Sequence, residues 1–192
     1  MNKVELRKIY LQKRSDLSAS AKSEMSQRIA GKLFETIDFD AFDTLHCFVT
    51  IARLNEVDSS WIYRRIWSSF PRVRTIAPRV DRETGRIQHF EFANEVELSE
   101  SDWGIREPRG TLSLDPGQID IIVVPLLCYD AFGFRVGYGK GYYDKFLSEC
   151  RPDAVKIGLS YFNEAETITD LHSNDIRLDL CITADGVVRF QN

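Results

Sequence analysis

The run IDIIVVPLLCYDAFGFRVGYGKGYYDKFL, Ile119 to Leu147, decides how the rest of the chain is read. Its opening, Ile119 to Val124 interrupted only by Asp120, is the continuous β-branched and aliphatic pattern of a strand buried on both faces of a parallel sheet. Pro125 ends that strand. Further on, three glycines at alternate positions, Gly137, Gly139 and Gly141, enclose Tyr138 and Lys140. Such spacing suits neither a helix nor a strand interior, because glycine gives up the most backbone freedom on folding. It suits a loop lying close against a ligand. From Tyr142 the pattern Tyr142, Tyr143, Asp144, Lys145, Phe146, Leu147 takes a helical period, so the glycines precede a helix N-terminus, where free N–H groups and the dipole favour anions. Strand, glycine loop and helix in this order make a candidate phosphate cradle. The spacing is neither GxxxxGK[ST], since Gly141 follows Lys140, nor GxGxxG, since Tyr142 stands where the last glycine would be. The residues alone leave a glycine-rich connection without a ligand as an open alternative.

Working outward, residues 2 to 15 contain no Gly or Pro, and Leu6, Ile9, Tyr10 and Leu17 recur at helical spacing. At about 100° per residue, Lys3, Arg7 and Arg14 fall within a sector of about 40° beside that apolar face. A solvated basic face is the ordinary fate of such charges. Ser18 is positioned to cap a second helix running to about Thr36. Thr44 to Ile51 reads as a strand, Asp58 to Phe70 as a helix, and Val73 to Val80 as a strand. His46 is expected to be a packed core histidine. Ile87 to Phe92 alternates like an edge or antiparallel strand, with His89 on its polar and so exposed face. Asn94 to Ser101 reads as a short acidic helix, and Trp103 opens a long irregular loop to Asp115-Pro116-Gly117. Ala154 to Ser160, Leu180 to Ala184 and Val187 to Phe190 supply the remaining strands. Glu56 lies past a strand's carboxyl end and before a helix start, where it either caps the helix or faces a ligand.

At 192 residues the chain suits one sizeable core, and no repeat, linker or low-complexity segment divides residues 1–192. Hydrophobic content of 43% and charged content of 28% exclude a disordered chain. The net charge of -4 argues against non-specific binding to nucleic acid or anionic membrane. The four cysteines show no CxxC and no zinc spacing, which fits reduced thiols in a cytoplasm. The N-terminal segment is too charged for a signal peptide, and no apolar run approaches the roughly 20 residues of a membrane span. Strands alternating with helices indicate an α/β three-layer domain with a mainly parallel sheet. Active residues are expected at the strands' carboxyl ends.

The core RVGYGKGYYD, Arg135 to Asp144, resembles the signature of the 5-formyltetrahydrofolate cyclo-ligase (5,10-methenyltetrahydrofolate synthetase) family. The resemblance extends in order through Lys3-Val4-Glu5-Leu6-Arg7, Asn55-Glu56-Val57-Asp58, Gly104-Ile105-Arg106-Glu107-Pro108 and Asp175-Ile176-Arg177-Leu178-Asp179. It implies a Rossmann-like arrangement shared with CoA-transferase and ribose-phosphate-isomerase-like domains. The implied activity is ATP-dependent conversion of 5-formyltetrahydrofolate, with or without a polyglutamate tail, to 5,10-methenyltetrahydrofolate, ADP and phosphate.

The resemblance also assigns residues. ATP is expected against Lys3, Val4, Glu5, Leu6 and Arg7 and against Arg135, Val136, Gly137, Tyr138, Gly139, Lys140, Gly141, Tyr142 and Tyr143. The folate is expected against Arg7, Ile51, Glu56 and the loop residues Tyr138 to Tyr142. Asp144 and Asp175 stand at the family's Mg²⁺ positions, while their residue types alone fit a helix dipole partner and a turn. Arg135 and Lys140 are expected to neutralise charge during phosphoryl transfer. Many relatives carry Gly where Lys140 stands and His where Asn174 stands, so neither is expected to be indispensable. Arg14 has no assigned role. A cytoplasmic monomer acting on a small molecule is expected. The rival reading is a nucleotide- or phosphate-binding module without catalysis; Glu56 with Tyr138 and Tyr142, a carboxylate and flat surfaces fit for a pterin, argues against it. A sugar-phosphate isomerase is suggested by fold analogy alone.

Overall fold

The apolar run that opens the decisive stretch forms a strand, Ile121–Pro125, at the centre of a seven-stranded sheet. The computed structural model describes residues 1–81, 83–93, 98–100, 106–108, 114–163 and 167–191. In chain order its main elements are α1 (Lys3–Asp16), α2 (Ala19–Thr36), β1 (Thr44–Cys47), α3 (Ser60–Ser69), β2 (Arg74–Asp81), β3 (Arg86–Glu91), β4 (Leu98–Glu100), β5 (Arg106–Pro108), β6 (Ile121–Pro125), β7 (Cys128–Tyr129), β8 (Arg135–Val136), α4 (Tyr142–Glu149), β9 (Val155–Leu159), β10 (Leu180–Ile182) and β11 (Val187–Arg189). The large sheet has the order β11-β10-β9-β6-β1-β2-β3. Its five inner strands are parallel, and the edge strands β3 and β11 run antiparallel to their neighbours.

Period-two alternation along β6 sends successive side chains to opposite faces. Ile121 and Val123 pack with Ile29 and Leu33 of α2 and Ile62 and Ile66 of α3. Ile122 and Val124 pack with Phe146 and Leu147 of α4. Burying each such side chain contributes about 1.5–3 kcal/mol, which is why the strand tolerates no polar residue between Ile121 and Val124. Asp120, just ahead of it, is not an intrusion. Its carboxylate accepts from the Thr44 amide at 2.8 Å and hydroxyl at 2.9 Å and from Arg151 at 2.7 Å, fixing the start of β6 against β1. The third layer of contact is α1, whose Leu6 and Tyr10 cover Leu127, Cys128 and Val136 of the β7–β8 hairpin. No described helix is long and apolar enough to cross a membrane.

The second helix begins as the sequence suggests, with the Ser18 hydroxyl accepting from the Ala21 amide, and on α1 the structure adds a reciprocal capping box between Asn2 and Glu5. His46 is buried in the core as expected. His89 corrects the reading of its strand. It is buried rather than exposed, with its ring 5.3 Å from that of His46 and 4.5 Å from that of Phe146. Alternation along β3 identifies two faces, but α4 covers the face that looks polar, and burial pulls His89 down to about 4. The acidic helix over 94–101 is also corrected, since Leu98–Glu100 is a strand paired antiparallel with Arg106–Pro108. That partner also interrupts the loop expected from Trp103 onward. Residues 94–97, 101–105 and 109–113, including Gly104 and Ile105 of the family block, lie outside the described residues.

Candidate active site

Sheet order places the site. From β1 the chain passes to β2 on one side, whereas β6 lies on its other side, so the crossover direction reverses between β1 and β6. In open α/β sheets the crevice at the carboxyl ends beside such a point is where ligands bind. Here the segment after β1 carries Ile51 and Glu56, and the segment after β6 carries the glycine loop. A direct bond spans the two: the Tyr138 hydroxyl donates to Oε1 of Glu56 at 2.7 Å. The other carboxylate oxygen, Oε2, accepts from the Ile51 amide at 2.7 Å. Asn55, at φ 49° in the left-handed region, turns the backbone so that Glu56 points inward instead of capping α3. Glu56 is buried, and burial pushes its carboxyl up, opposed by the Ile51 amide, the Tyr138 hydroxyl and the Arg14 and Arg53 guanidiniums.

The glycine loop has the conformation its composition calls for. Gly139 (φ 86°) and Gly141 (φ 68°) are left-handed, the backbone state from which anion-binding nests are built. Gly141 is the N-cap of α4 and brings no side chain to that end, leaving the first-turn amides unblocked. Arg7 reaches the loop from α1: its Nε donates to the Gly137 carbonyl at 3.0 Å. A Cβ built on Gly139 would stand 3.0 Å from the Arg7 Cζ, so the guanidinium lies flat against loop backbone that only glycine leaves open.

Two carboxylates border the loop. Asp144, in the first turn of α4, accepts at Oδ1 from Arg135 Nη2 at 2.8 Å and from the Ile176 amide at 3.2 Å. Asp175, the residue before that amide, accepts at Oδ2 from Lys3 Nζ at 2.5 Å and from the His172 amide at 2.7 Å. Burial raises the Asp175 carboxyl, but the His172 amide and the Lys3 ammonium outweigh it and hold it below the usual carboxylate range. Among the described residues nothing donates to Asp144 Oδ2 or Asp175 Oδ1, so each carboxylate keeps one oxygen for a further partner. No group of three or more candidate metal ligands occurs among the described residues. Two carboxylates and no third ligand suit Mg²⁺, which is held by one or two carboxylates and substrate phosphates while keeping several waters.

The other expected residues divide by location. Lys140 is exposed on the loop. Arg135 is buried and committed to Asp144 and, at 2.5 Å, to the Ile176 carbonyl. Leu6 and Val136 are wholly buried in the core beneath the site, and Glu5 turns back to the Asn2 amide at 3.1 Å, so none of these three side chains is turned toward the crevice. Val4 is exposed. Tyr138 packs with the α1 cluster, whereas Tyr142 and Tyr143 pack with the α4 cluster, so the loop's aromatic side chains separate onto two sides. The buried Tyr143 hydroxyl has no partner among the described residues. Arg14, left without a role by the sequence, proves to be buried behind Tyr138. Its signal was the shared helical sector with Lys3 and Arg7.

The sequence profile of the 5-formyltetrahydrofolate cyclo-ligase family matches residues 1–180. The chain belongs to that family. A cyclo-ligase of this name from Mycoplasma pneumoniae is 31% identical over 187 residues, covering 95% of this chain and 98% of the relative. The mitochondrial cyclo-ligase of Arabidopsis thaliana is 26% identical over 97% of this chain and 79% of its own length. Among solved structures, the 5,10-methenyltetrahydrofolate synthetase of Aquifex aeolicus superposes with a TM-score of 0.82 at 27% identity, covering 100% of this chain and 94% of that one. The Mycoplasma pneumoniae synthetase gives 0.74 at 30% identity, covering 96% and 99%. The cyclo-ligase family carries the same three-layer fold as this chain, with its mainly parallel sheet.

Proposed function

We propose that this cyclo-ligase couples ATP hydrolysis to ring closure, converting 5-formyltetrahydrofolate to 5,10-methenyltetrahydrofolate with release of ADP and phosphate. The observation that carries the reading is the Glu56–Tyr138 bond: in a chain of this family, it joins a buried carboxylate to the glycine loop that precedes α4. A carboxylate oriented by two fixed donors suits the N–H groups of a pterin, and a glycine loop at a helix N-terminus suits the phosphates of a nucleotide.

The chemistry follows from the leaving group. A formamide oxygen does not depart as hydroxide at neutral pH. The formyl oxygen therefore attacks the γ-phosphorus of ATP, its bond to the β,γ-bridging oxygen breaks, and ADP leaves. N10 then attacks the activated formyl carbon, the carbon–oxygen bond breaks, the oxygen departs as part of phosphate, and N10 releases its proton. Phosphoryl transfer of this kind depends on positioning and charge neutralisation. Loop amides and the cations of Lys3, Arg7 and Lys140 supply both, and no protein nucleophile is needed. Arg135 acts from behind, by holding Asp144. Mg²⁺ bound by Asp144 and Asp175 would shield phosphate charge. The proposed setting is a cytoplasmic monomer acting on a small molecule, without nucleic acid or membrane.

The oxygen balance is the test of this route. With substrate labelled by ¹⁸O in the formyl group, one label per turnover is expected in inorganic phosphate. Label recovered in water instead excludes phosphorylation of the formyl oxygen.

A further inference from the structure

Arg14 is 2% exposed on the inner side of α1 and Glu56 is 5% exposed across the crevice, yet these two buried opposite charges do not touch. The Tyr138 hydroxyl stands between them. It accepts from Arg14 Nη1 at 2.9 Å and donates to Glu56 Oε1 at 2.7 Å, which uses its single proton and leaves Oε1 with a polarised donor. Arg14 Nη2 donates to the carbonyl of Leu126, the first residue after β6, and the guanidinium faces the Tyr161 ring at 5.9 Å. No carboxylate pairs directly with Arg14 among the described residues. A buried cation of this kind costs free energy that an apolar side chain of similar volume would not. Packing alone thus does not account for an arginine here.

We propose that Arg14 is a positioning residue for the folate: through the Tyr138 hydroxyl it sets where Glu56 sits and supplies the buried positive charge that keeps that carboxylate an acceptor for the pterin. The inference rests on Glu56 binding the folate, as in the function proposed above. The groups facing Glu56 are Arg14 and Tyr138, Arg53 on the same segment, Tyr143 of α4, and Tyr161, whose hydroxyl donates to the Glu56 backbone carbonyl at 2.9 Å. Of the two cations, Arg53 is exposed and Arg14 buried, so Arg14 acts through the less screened path. Removing it lets burial push the Glu56 carboxyl higher, so folate binding is lost at a higher pH on acidification.

The test compares Arg14→Met, Arg14→Lys, Glu56→Gln and the Arg14→Met/Glu56→Gln pair, measuring KM for folate and for ATP across pH, with folding checked by circular dichroism. Arg14→Met is expected to raise the folate KM by about tenfold, to leave the ATP KM unchanged, and to move the acid limb of kcat/KM for folate to higher pH. In the Glu56→Gln background it adds nothing. Arg14→Lys keeps the charge but cannot span the Leu126 carbonyl and the Tyr138 hydroxyl together, so it keeps the wild-type acid limb with an intermediate folate KM. That variant decides the matter if the methionine variant does not fold, a wild-type folate KM overturning the proposal. Equal rises in both KM values, or an unmoved acid limb in Arg14→Met, also overturn it and leave Arg14 a packing residue. A Glu56→Gln enzyme with wild-type folate KM sinks the Glu56 assignment itself, and the proposal with it. A raised folate KM in Glu56→Gln but not in Arg14→Met sinks the proposal alone.

Discussion

Asp144→Asn combined with Asp175→Asn is expected to abolish turnover, while each single change raises the Mg²⁺ concentration needed for half-maximal rate. The two carboxylates are tied to one segment, because the amide that donates to Asp144 belongs to the residue after Asp175. Each is oriented by a cation, Arg135 for Asp144 and Lys3 for Asp175, that uses one oxygen and leaves the other. Asparagine keeps a carbonyl acceptor for Arg135 or Lys3 but loses the charge a hard cation needs. The effect on rate therefore separates from the effect on folding, which thermal unfolding measures independently. Removing Asp144 altogether would not separate them, since it would leave the buried Arg135 charge unpaired. A wild-type magnesium dependence in either folded single mutant would return that residue to a purely structural part, as the partner of Arg135 or of Lys3.

Gly139→Ala is expected to weaken ATP binding by about ten- to a hundredfold, the range set by loss of a charge-assisted contact. Two causes act together. At φ 86° an added Cβ strains the backbone, and it also meets the Arg7 guanidinium at 3.0 Å. Either the loop leaves its left-handed conformation, disordering the amides, or Arg7 moves off the Gly137 carbonyl. Arg7→Ala removes the second cause by itself, so the Gly139→Ala/Arg7→Ala pair should lose less than the sum of the two. Titration of each variant with ATP by calorimetry measures this. Additive losses would mean that Gly139 and Arg7 act independently, and an unchanged affinity in Gly139→Ala would remove the loop from the nucleotide site.

Much of this arrangement is legible in the sequence because its causes are local. The apolar run of β6 reports burial on both faces, and the alternate glycines report the left-handed loop at Gly139 and Gly141. What failed depends on partners outside the stretch whose pattern was read. His89 looks exposed until α4 is packed over β3, and Leu98–Glu100 looks helical until Arg106–Pro108 pairs with it. Arg14 shares a helical sector with Lys3 and Arg7, yet periodicity does not say which of three neighbouring cations is buried. That is settled by the Leu126 carbonyl and Tyr138 hydroxyl, more than a hundred residues away. The motif Lys3 to Arg7 likewise mixes two kinds of residue: Lys3 and Arg7 reach the site, while Leu6 holds α1 to the hairpin.

The most direct measurement is the absorbance of 5,10-methenyltetrahydrofolate formed from 5-formyltetrahydrofolate by the folded protein, with Mg²⁺ and with or without ATP. Product is expected only when ATP is present, with one ADP released per methenyl group formed. ATP binding without product at saturating folate would contradict it, and would make the glycine loop part of a nucleotide-binding module instead of a ligase.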